Sequence, residues 1–532
     1  MKELVKSEIF KVLGRDFVLE KPKDISLAHY ATPLAFSLAK ELKKSPVAIA
    51  NELALKFQDS KIFSVSAVNG YLNFRLNGEF LNKISTDALK NGTDFAKGEI
   101  KNEKIFIEYI SANPTGPLHI GHVRGAVYGN ILDIVGRYLG YEIATEYYIN
   151  DAGNQIDLLG TSISLAAKEL LFGESVEYPE SYYRGEYLVQ IAKDALAKFG
   201  KEIFYDESRN LELAEFGKDE VIKIIKKDLN DVGINIQSWA SEKSLYSGLE
   251  ATINKLKISG QMYEKDGATY IASSKLGDDN DRVVIRDDAR PTYLAGDIIY
   301  HNAKFEKNYD KYINIWGADH HGYIARLKAA IHFLGYDESR LEVILMQMVS
   351  LLKDGKPFKM SKRAGTYVLM SEIAEEIGAE ALRFMFISKS NTSPLEFDLN
   401  SVKANDNTNP IFYINYAHAR VNQIFAKANK SVNDVINADL NVLDDSAKNL
   451  LYQAITLNEV LEDAFSSRGL YKIADFLKAL SANFHKFYNE NRIIGSENED
   501  ALLKLFGVVA LSIRTALKLM GIVAKERMLK DE

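Results

Sequence analysis

Hydrophobic spacing divides the chain into three stretches that follow different rules. Up to about residue 100, helical segments such as Pro33 to Leu42 and Val47 to Phe57 precede a pair of alternating segments. These are Ser64-Val65-Ser66-Ala67-Val68 and Tyr71-Leu72-Asn73-Phe74-Arg75-Leu76, joined by Asn69-Gly70, a dipeptide that predicts a tight hairpin. An α+β domain over 1–100 is expected, closed by the turn-rich Lys90-Asn91-Gly92-Thr93-Asp94. From 101 to 395 strand and helix alternate. Ile105 to Ile110 reads as a mostly buried strand, and Ser111-Ala112-Asn113-Pro114-Thr115-Gly116-Pro117 as a loop. Val123, Val127, Ile131, Ile134 and Tyr138 then recur every three or four residues, and a second strand runs from Glu142 to Ile149. Strand, loop, helix and strand in that order predict a parallel α/β sheet. Over 396–532 the pattern is almost wholly helical. Ile473, Leu477, Leu480, Phe484 and Phe487 form one core-facing stripe, which predicts an all-α bundle.

Composition changes this picture only by exclusion. A chain of 532 residues exceeds the ~250–300 that one core supports, so several domains are required. With 46% apolar and 26% charged residues it is neither disordered nor collagen-like. The absence of cysteine excludes disulfides, thiolate zinc sites, iron–sulfur clusters and cysteine nucleophiles. No apolar run approaches a membrane span; the best C-terminal candidate, Ala501 to Ile513, is short and carries Lys504. The charged N-terminus lacks a signal core, so a cytoplasmic protein with no membrane partner is expected. The net charge of −7 is unevenly spread: residues 1–100 hold 15 Lys/Arg against 12 Asp/Glu, residues 411–532 hold 15 of each, and the middle is acidic. The flanks therefore permit contact with RNA, which needs a local positive field.

Two segments could carry chemistry. Asn113-Pro-Thr-Gly-Pro-Leu-His119-Ile120-Gly121-His122 falls where a strand's carboxyl end meets a helix start, a place where α/β sheets bind ligands and backbone donors favour phosphate. Gly121 would let a flat ring approach the backbone, and His119 and His122, three apart, share one side. Alone, the pair would read as polar caps or as metal ligands rather than as phosphate donors. Farther on, Lys353-Asp354-Gly355-Lys356 forms a turn before Lys359-Met360-Ser361-Lys362-Arg363-Ala364-Gly365-Thr366, three cations beside a small loop. That suits a clamp on a departing pyrophosphate, although a lone run of this kind is usually a solvated charge cluster. No Gly-x-x-x-x-Gly-Lys-Ser/Thr loop exists to serve as an alternative phosphate site. Asp319-His320-His321 offers too few, poorly spaced ligands for tetrahedral zinc, and reads as strand-end residues lining a nucleotide cleft.

Together His119-Ile-Gly-His122 and Lys359-Met-Ser-Lys362 resemble the signature pair of class I aminoacyl-tRNA synthetases. Within that class the whole chain resembles the arginyl-tRNA synthetase family. The likeness rests on Ile107-Glu108-Tyr109, Gly317-Ala318-Asp319-His320-His321-Gly322, Glu380-Ala381-Leu382-Arg383, Asn409-Pro410-Ile411-Phe412-Tyr413, Tyr416-Ala417-His418-Ala419-Arg420 and Glu526-Arg527-Met528. Departures are Lys525, where the family often has proline, and Glu380, commonly aspartate. The resemblance implies a Rossmann-type parallel-sheet catalytic domain (101–395), an N-terminal α+β domain that touches the tRNA elbow (1–100) and an α-helical anticodon-binding domain (396–532).

The same resemblance implies an arginine–tRNA ligase. His119, His122, Lys359 and Lys362 would be catalytic. ATP would meet Thr115, Gly116, His119, Gly121, His122, His320, Met360, Ser361 and Lys362. Arginine would meet Glu108, Ser111, Asn113, His122, Tyr293, Asp297 and Gln347, with Tyr293 and Asp297 at its side chain and Glu108 and Asn113 near its α-amino and carboxylate ends. From the residues alone, Tyr293 could be a core aromatic and Asp297 a helix cap. The implied contacts with tRNA(Arg) are Tyr71 and Asn73 at the elbow, where an outward strand pair is the plain alternative, and Tyr416, Arg420 and Met528 at the anticodon. Mg²⁺ would arrive with ATP, with no zinc and no dedicated metal site, and a monomer is the default. The alternatives are a class I synthetase for another amino acid, a non-catalytic synthetase-like RNA-binding paralogue and a small-molecule adenylyltransferase. The acidic Asp297, the intact histidine and lysine motifs and the long helical C-terminal stretch count against them in turn.

Overall fold

The computed structural model describes residues 1–22, 27–358 and 368–528; Lys359, Met360, Ser361 and Lys362 lie outside the described residues. Two compact units emerge. One is 99–403, and the other joins 1–98 to 404–532.

The first unit is built on a five-stranded sheet. Its strands are β1 (Lys104–Tyr109), β2 (Glu142–Ile149), β3 (Ser238–Ser241), β4 (Lys311–Gly317) and β5 (Leu341–Met346). The order is β5-β4-β1-β2-β3 and every neighbouring pair is parallel. Strands buried on both faces read as nearly continuous apolar runs, which is why Ile105 to Tyr109 is buried throughout. Phe106, Tyr312, Leu341, Phe305, Leu327 and Ile331 make one core cluster beside the sheet. The chain steps outward from β1 to β3 and then returns to the other side of β1 with β4. That reversal opens a crevice at the carboxyl ends of β1 and β4, the Rossmann-type switch point at which ligands bind.

Helix α1 (Ile120–Tyr138) leaves the loop after β1 and is buried along most of its length. It comes so close to β1 that a Cβ at Gly129 would collide with the Tyr109 ring. Arg124 on the same helix, also buried, donates to the carbonyls of Gln347 (2.9 Å), Ser390 (2.7 Å) and Ser393 (2.8 Å), so three segments share one guanidinium. Helix α2 (Tyr293–Glu306) precedes β4, as the spacing of Tyr293 and Asp297 requires if both are to share a face. After β5, Val349–Lys353 turns back onto Lys356–Pro357 across Asp354 and Gly355, whose φ angles of 55° and 69° suit a two-residue hairpin.

The second unit carries the expected hairpin, Phe63–Val68 against Tyr71–Leu76, with Asn69 and Gly70 both at positive φ. Its 404–528 part is helical. Asn409 caps Pro410–Ala428 by accepting from the amides of Ile411 (3.0 Å) and Phe412 (3.4 Å), with Pro410 in the first turn where no donor is needed. The apolar stretch around Ala501 to Ile513 lies in helix Glu499–Leu519, where Lys504 is buried and donates to Asn82 (2.6 Å) and to the Ala438 carbonyl (2.9 Å). Among the described residues no helix is long and apolar enough to cross a membrane. Tyr30 bonds to the buried Glu459, so the two ends of the sequence share a core.

The close approach of α1 to β1 can be tested. Gly129→Ala should destabilise the protein by about 1–3 kcal/mol through overpacking, read as a lower thermal midpoint; an unchanged midpoint would contradict the contact.

Candidate active site

The crevice is a cleft of about 560 Å³. Its floor begins at the end of β1, where Ile110 and Ser111 both take positive φ (74° and 43°). A β-branched residue rarely does so, and strain of this kind collects at functional sites. It turns the Ser111 hydroxyl back to donate to Glu108 (2.8 Å) and to accept from the Tyr148 amide (3.1 Å).

Part of the lining belongs to the histidines. His119 is the N-cap of α1, and its Nδ1 accepts from the Gly121 amide (3.1 Å), while His122 Nδ1 accepts from the His119 amide (3.4 Å). The rings lie 3.9 Å apart. An Nδ1 that accepts from a backbone N–H cannot carry a proton, so each neutral ring holds its proton on Nε2. Burial lowers both basicities, that of His122 to about 3 with help from His119. These imidazoles are therefore neutral donors. Gly121 lines the cleft, and a Cβ there would lie 3.0 Å from the His119 ring.

Described residues on either side of 359–367 make defined backbone contacts. Residues just beyond it run antiparallel to the histidine motif: Ile120 N–H donates to Val368 O (2.9 Å) and Met370 N–H to Leu118 O (2.8 Å). Just before it, Phe358 N–H donates to Leu351 O (2.8 Å).

The same lining also carries acids. Asp297, one turn into α2, accepts from Tyr323, and burial pushes its carboxyl up to about 7, with Glu242 and Glu108 adding to the rise. Near Asp297 but not itself part of the lining, Glu242 is buried at the start of the short helix after β3, accepts from Tyr246 (3.1 Å) and is also raised by burial. Neither acid has a lysine or arginine partner among the described residues. Glu108, Glu146 and Asp151 each do: Lys304 at 2.8 Å, Lys307 at 2.8 Å and Lys218 at 3.8 Å.

Most of the expected site residues meet here. Glu108, Ser111, Asn113, His119, His122, Tyr293, Asp297 and His320 all line the cleft. Tyr293 stands at its lip, 59% exposed, so it is not a core aromatic. His320 is exposed on the turn Ala318–Tyr323 that follows β4. Three residues sit beside the cleft. Thr115 is buried with its carbonyl accepting from Tyr187 (2.7 Å), Gly116 lies against the same tyrosine, and Gln347, which follows the lining residue Met346, gives its carbonyl to Arg124. Lys359, Met360, Ser361 and Lys362 fall outside the described residues. Sequence reasoning missed Glu242, Tyr323 and Lys304. A strand-end acid could have been sought at Glu242, but β3 is short and only half-buried, so its apolar signal is weak.

The remaining expected contacts belong to the second unit. Tyr71 is 39% exposed beside Phe36, whereas Asn73 is 8% exposed, so the two are not an outward pair. Tyr416 and Met528 line a second cleft of about 420 Å³ with Phe412. Arg420 lies over Tyr416 and Tyr488 and bonds to Tyr416 (2.5 Å) and His485 (3.2 Å). Lys525, the departure from proline, donates its amide to Asn415 (2.9 Å), a bond that proline could not make.

Nitrogen-15 spectra of the histidine rings test the neutral-donor description. His122 should remain the Nε2–H tautomer at pH 5, where an ordinary histidine is charged; an imidazolium there would overturn it.

Comparison with known proteins agrees with this architecture. Residues 84–428 match the family described as tRNA synthetases class I (R), catalytic domain. Residues 1–76 match the arginyl tRNA synthetase N terminal domain and residues 414–528 the DALR anticodon binding domain. The arginine–tRNA ligase of Campylobacter curvus is 77% identical over 529 residues, covering 99% of this chain and all of the relative. That of Campylobacter jejuni subsp. jejuni serotype O:2 is 58% identical over the same span of 529 residues, with the same coverage. The solved structure of Thermus thermophilus arginyl-tRNA synthetase shares the fold with a TM-score of 0.78 at 22% identity, covering 99% of each chain. The chain belongs to the class I arginyl-tRNA synthetase family.

Proposed function

We propose that this protein is an arginine–tRNA ligase whose cleft activates L-arginine with MgATP and passes it to the 3′-terminal adenosine of tRNA(Arg). The observation that carries the reading is the lining of one cleft: it holds neutral Nε2–H donors and also Asp297, an acid without a lysine or arginine partner, with Glu242 buried near it. A guanidinium buried without planar carboxylates would be costly, and Asp297 with Glu242 supplies them. Tyr293 at the lip covers them. Glu108, Ser111 and Asn113 serve the α-amino and carboxylate ends, with Gln347 near them.

Arginine held in this way points its carboxylate toward the histidines. A carboxylate oxygen attacks the α-phosphorus of ATP, forming arginyl-adenylate, and the bond to the bridging oxygen breaks to release pyrophosphate. His119 and His122 donate to the phosphoryl oxygens as charge builds, while Lys359 and Lys362 hold the departing phosphates. Thr115, Gly116, Gly121, His320, Met360 and Ser361 complete the ATP site, with Mg²⁺ carried on the nucleotide. A terminal ribose hydroxyl of tRNA, by family likeness the 2′-hydroxyl, then attacks the adenylate carbonyl and AMP leaves. Positioning and electrostatics carry the rate, with no covalent enzyme intermediate. Tyr71 and Asn73 would meet the tRNA elbow, and Tyr416, Arg420 and Met528 its anticodon arm. Residues 1–100, 101–395 and 396–532 would divide the work into elbow binding, catalysis and anticodon binding. Action as a monomer in the cytoplasm belongs to the same reading.

ATP–pyrophosphate exchange measured with each amino acid, with and without tRNA, tests it. Exchange should occur with arginine and should depend on tRNA; exchange driven by another amino acid alone would overturn it. Asp297→Asn should raise the KM for arginine about 10–100-fold, the value of a lost charge-assisted hydrogen bond, and leave that for ATP within about twofold; equal loss for both substrates would make Asp297 a mere cap. Because guanidinium binding needs ionised Asp297, whose carboxyl stands near 7, arginine affinity should fall as pH drops through that value. Binding near neutral pH should therefore release a proton, seen as a buffer-dependent calorimetric enthalpy; no buffer dependence would contradict the assignment.

A further inference from the structure

Lys304 is the least expected charge in the catalytic unit. It lies in the last turn of α2 with a fully buried side chain. Its Nζ sits 2.8 Å from Glu108 Oε2 and 2.8 Å from Asn314 Oδ1, above the rings of Tyr300 (4.6 Å) and Phe106 (5.6 Å). Asn314 continues to His301 (2.9 Å), whose other nitrogen meets the Asp297 carbonyl (2.8 Å). A polar chain thus runs beneath the cleft from Glu108 to the helix that bears Asp297.

Arginine poses a problem of orientation, because it has two cationic ends. Glu108 and Asp297 both face the cleft, and either could take the guanidinium. Reversed binding would carry the carboxylate away from the phosphates. We propose that Lys304 is a specificity-determining residue that fixes the direction in which arginine lies: by neutralising Glu108 from inside the protein while leaving it able to accept from the α-amino group, it makes Asp297, with Glu242 buried near it, the acid whose charge a guanidinium meets. The inference rests on the arginine reading of the cleft. Lys307 on Glu146 and Lys218 near Asp151 complete the same partition among the buried acids of this region; Asp319, which also lines the cleft, is exposed and lies 3.6 Å from His320.

Removing the charge should create a second cation site. The space beside Glu108, walled by Tyr300 and Phe106, would then attract a small cation through the carboxylate and the ring faces. Lys304→Gln keeps an amide donor for Glu108 and Asn314, and is the variant chosen to stay folded. Titration calorimetry of the full chain with methylguanidinium should give one competitive site with arginine in the parent and two in Lys304→Gln. Reversed, unproductive binding lowers kcat and KM for arginine together, here by about fivefold in tRNA-dependent exchange, with kcat/KM nearly constant. Adding Glu108→Gln to Lys304→Gln should return the stoichiometry to one. A single site in Lys304→Gln, or a KM that rises while kcat holds, overturns the inference and leaves the arginine reading intact. A parent that binds no methylguanidinium overturns both.

Discussion

The structure depends above all on how buried acids are compensated. Carboxylates taken out of water must be paired, or they tend to take up a proton. Around this cleft Glu108, Glu146 and Asp151 have lysines, whereas Asp297 and Glu242 have tyrosine hydroxyls. A hydroxyl satisfies a lone pair without cancelling the charge, so the electrostatic need of these two acids is left for a ligand to meet. On the proposed reading, the neutral histidines of the same cleft solve the complementary problem: they offer N–H donors to anionic oxygens without bringing mutually repelling charges into a tight space.

The fold places the histidines and Asp297 within one crevice. The reversal of strand order beside β1 opens it, and the close fit of α1 on β1 holds the histidine turn at the carboxyl edge. The antiparallel bridge between Leu118–Ile120 and Val368–Met370 brings together parts of the sequence some 250 residues apart. Arg124 adds a second tie, since its donors reach both the end of β5 and the 389–393 turn that leads to strand Leu395–Asp398. Positioning of this quality is what a reaction driven by electrostatics requires.

Much of this was legible in the sequence where periodicity or turn chemistry spoke. The Asn69-Gly70 hairpin, the stripe of α1, the second strand and the helical C-terminal stretch all appear as the spacing predicts. The histidine turn was legible because a cap, a glycine and a strand end coincide there. Other features carry no local signal. Lys304 looks like an ordinary helix lysine until α2 is seen to be packed on both sides. Glu242 follows a strand of Ser-Trp-Ala-Ser that lacks an apolar run. The pairing of Tyr30 with Glu459 joins residues more than 400 apart, and such contacts leave no trace in spacing.

The proposed chemistry requires a cationic side chain against Asp297 while the reacting carboxylate lies beside His119 and His122. A crystal structure of the protein with arginine and a non-hydrolysable ATP analogue, with tRNA bound, measures this directly. The guanidinium should sit about 2.7–2.9 Å from the carboxylates of Asp297 and Glu242, and the α-phosphate should accept from a histidine Nε2. Arginine lying the other way, with its guanidinium at Glu108, or nucleotide bound away from α1, would rule out this arrangement.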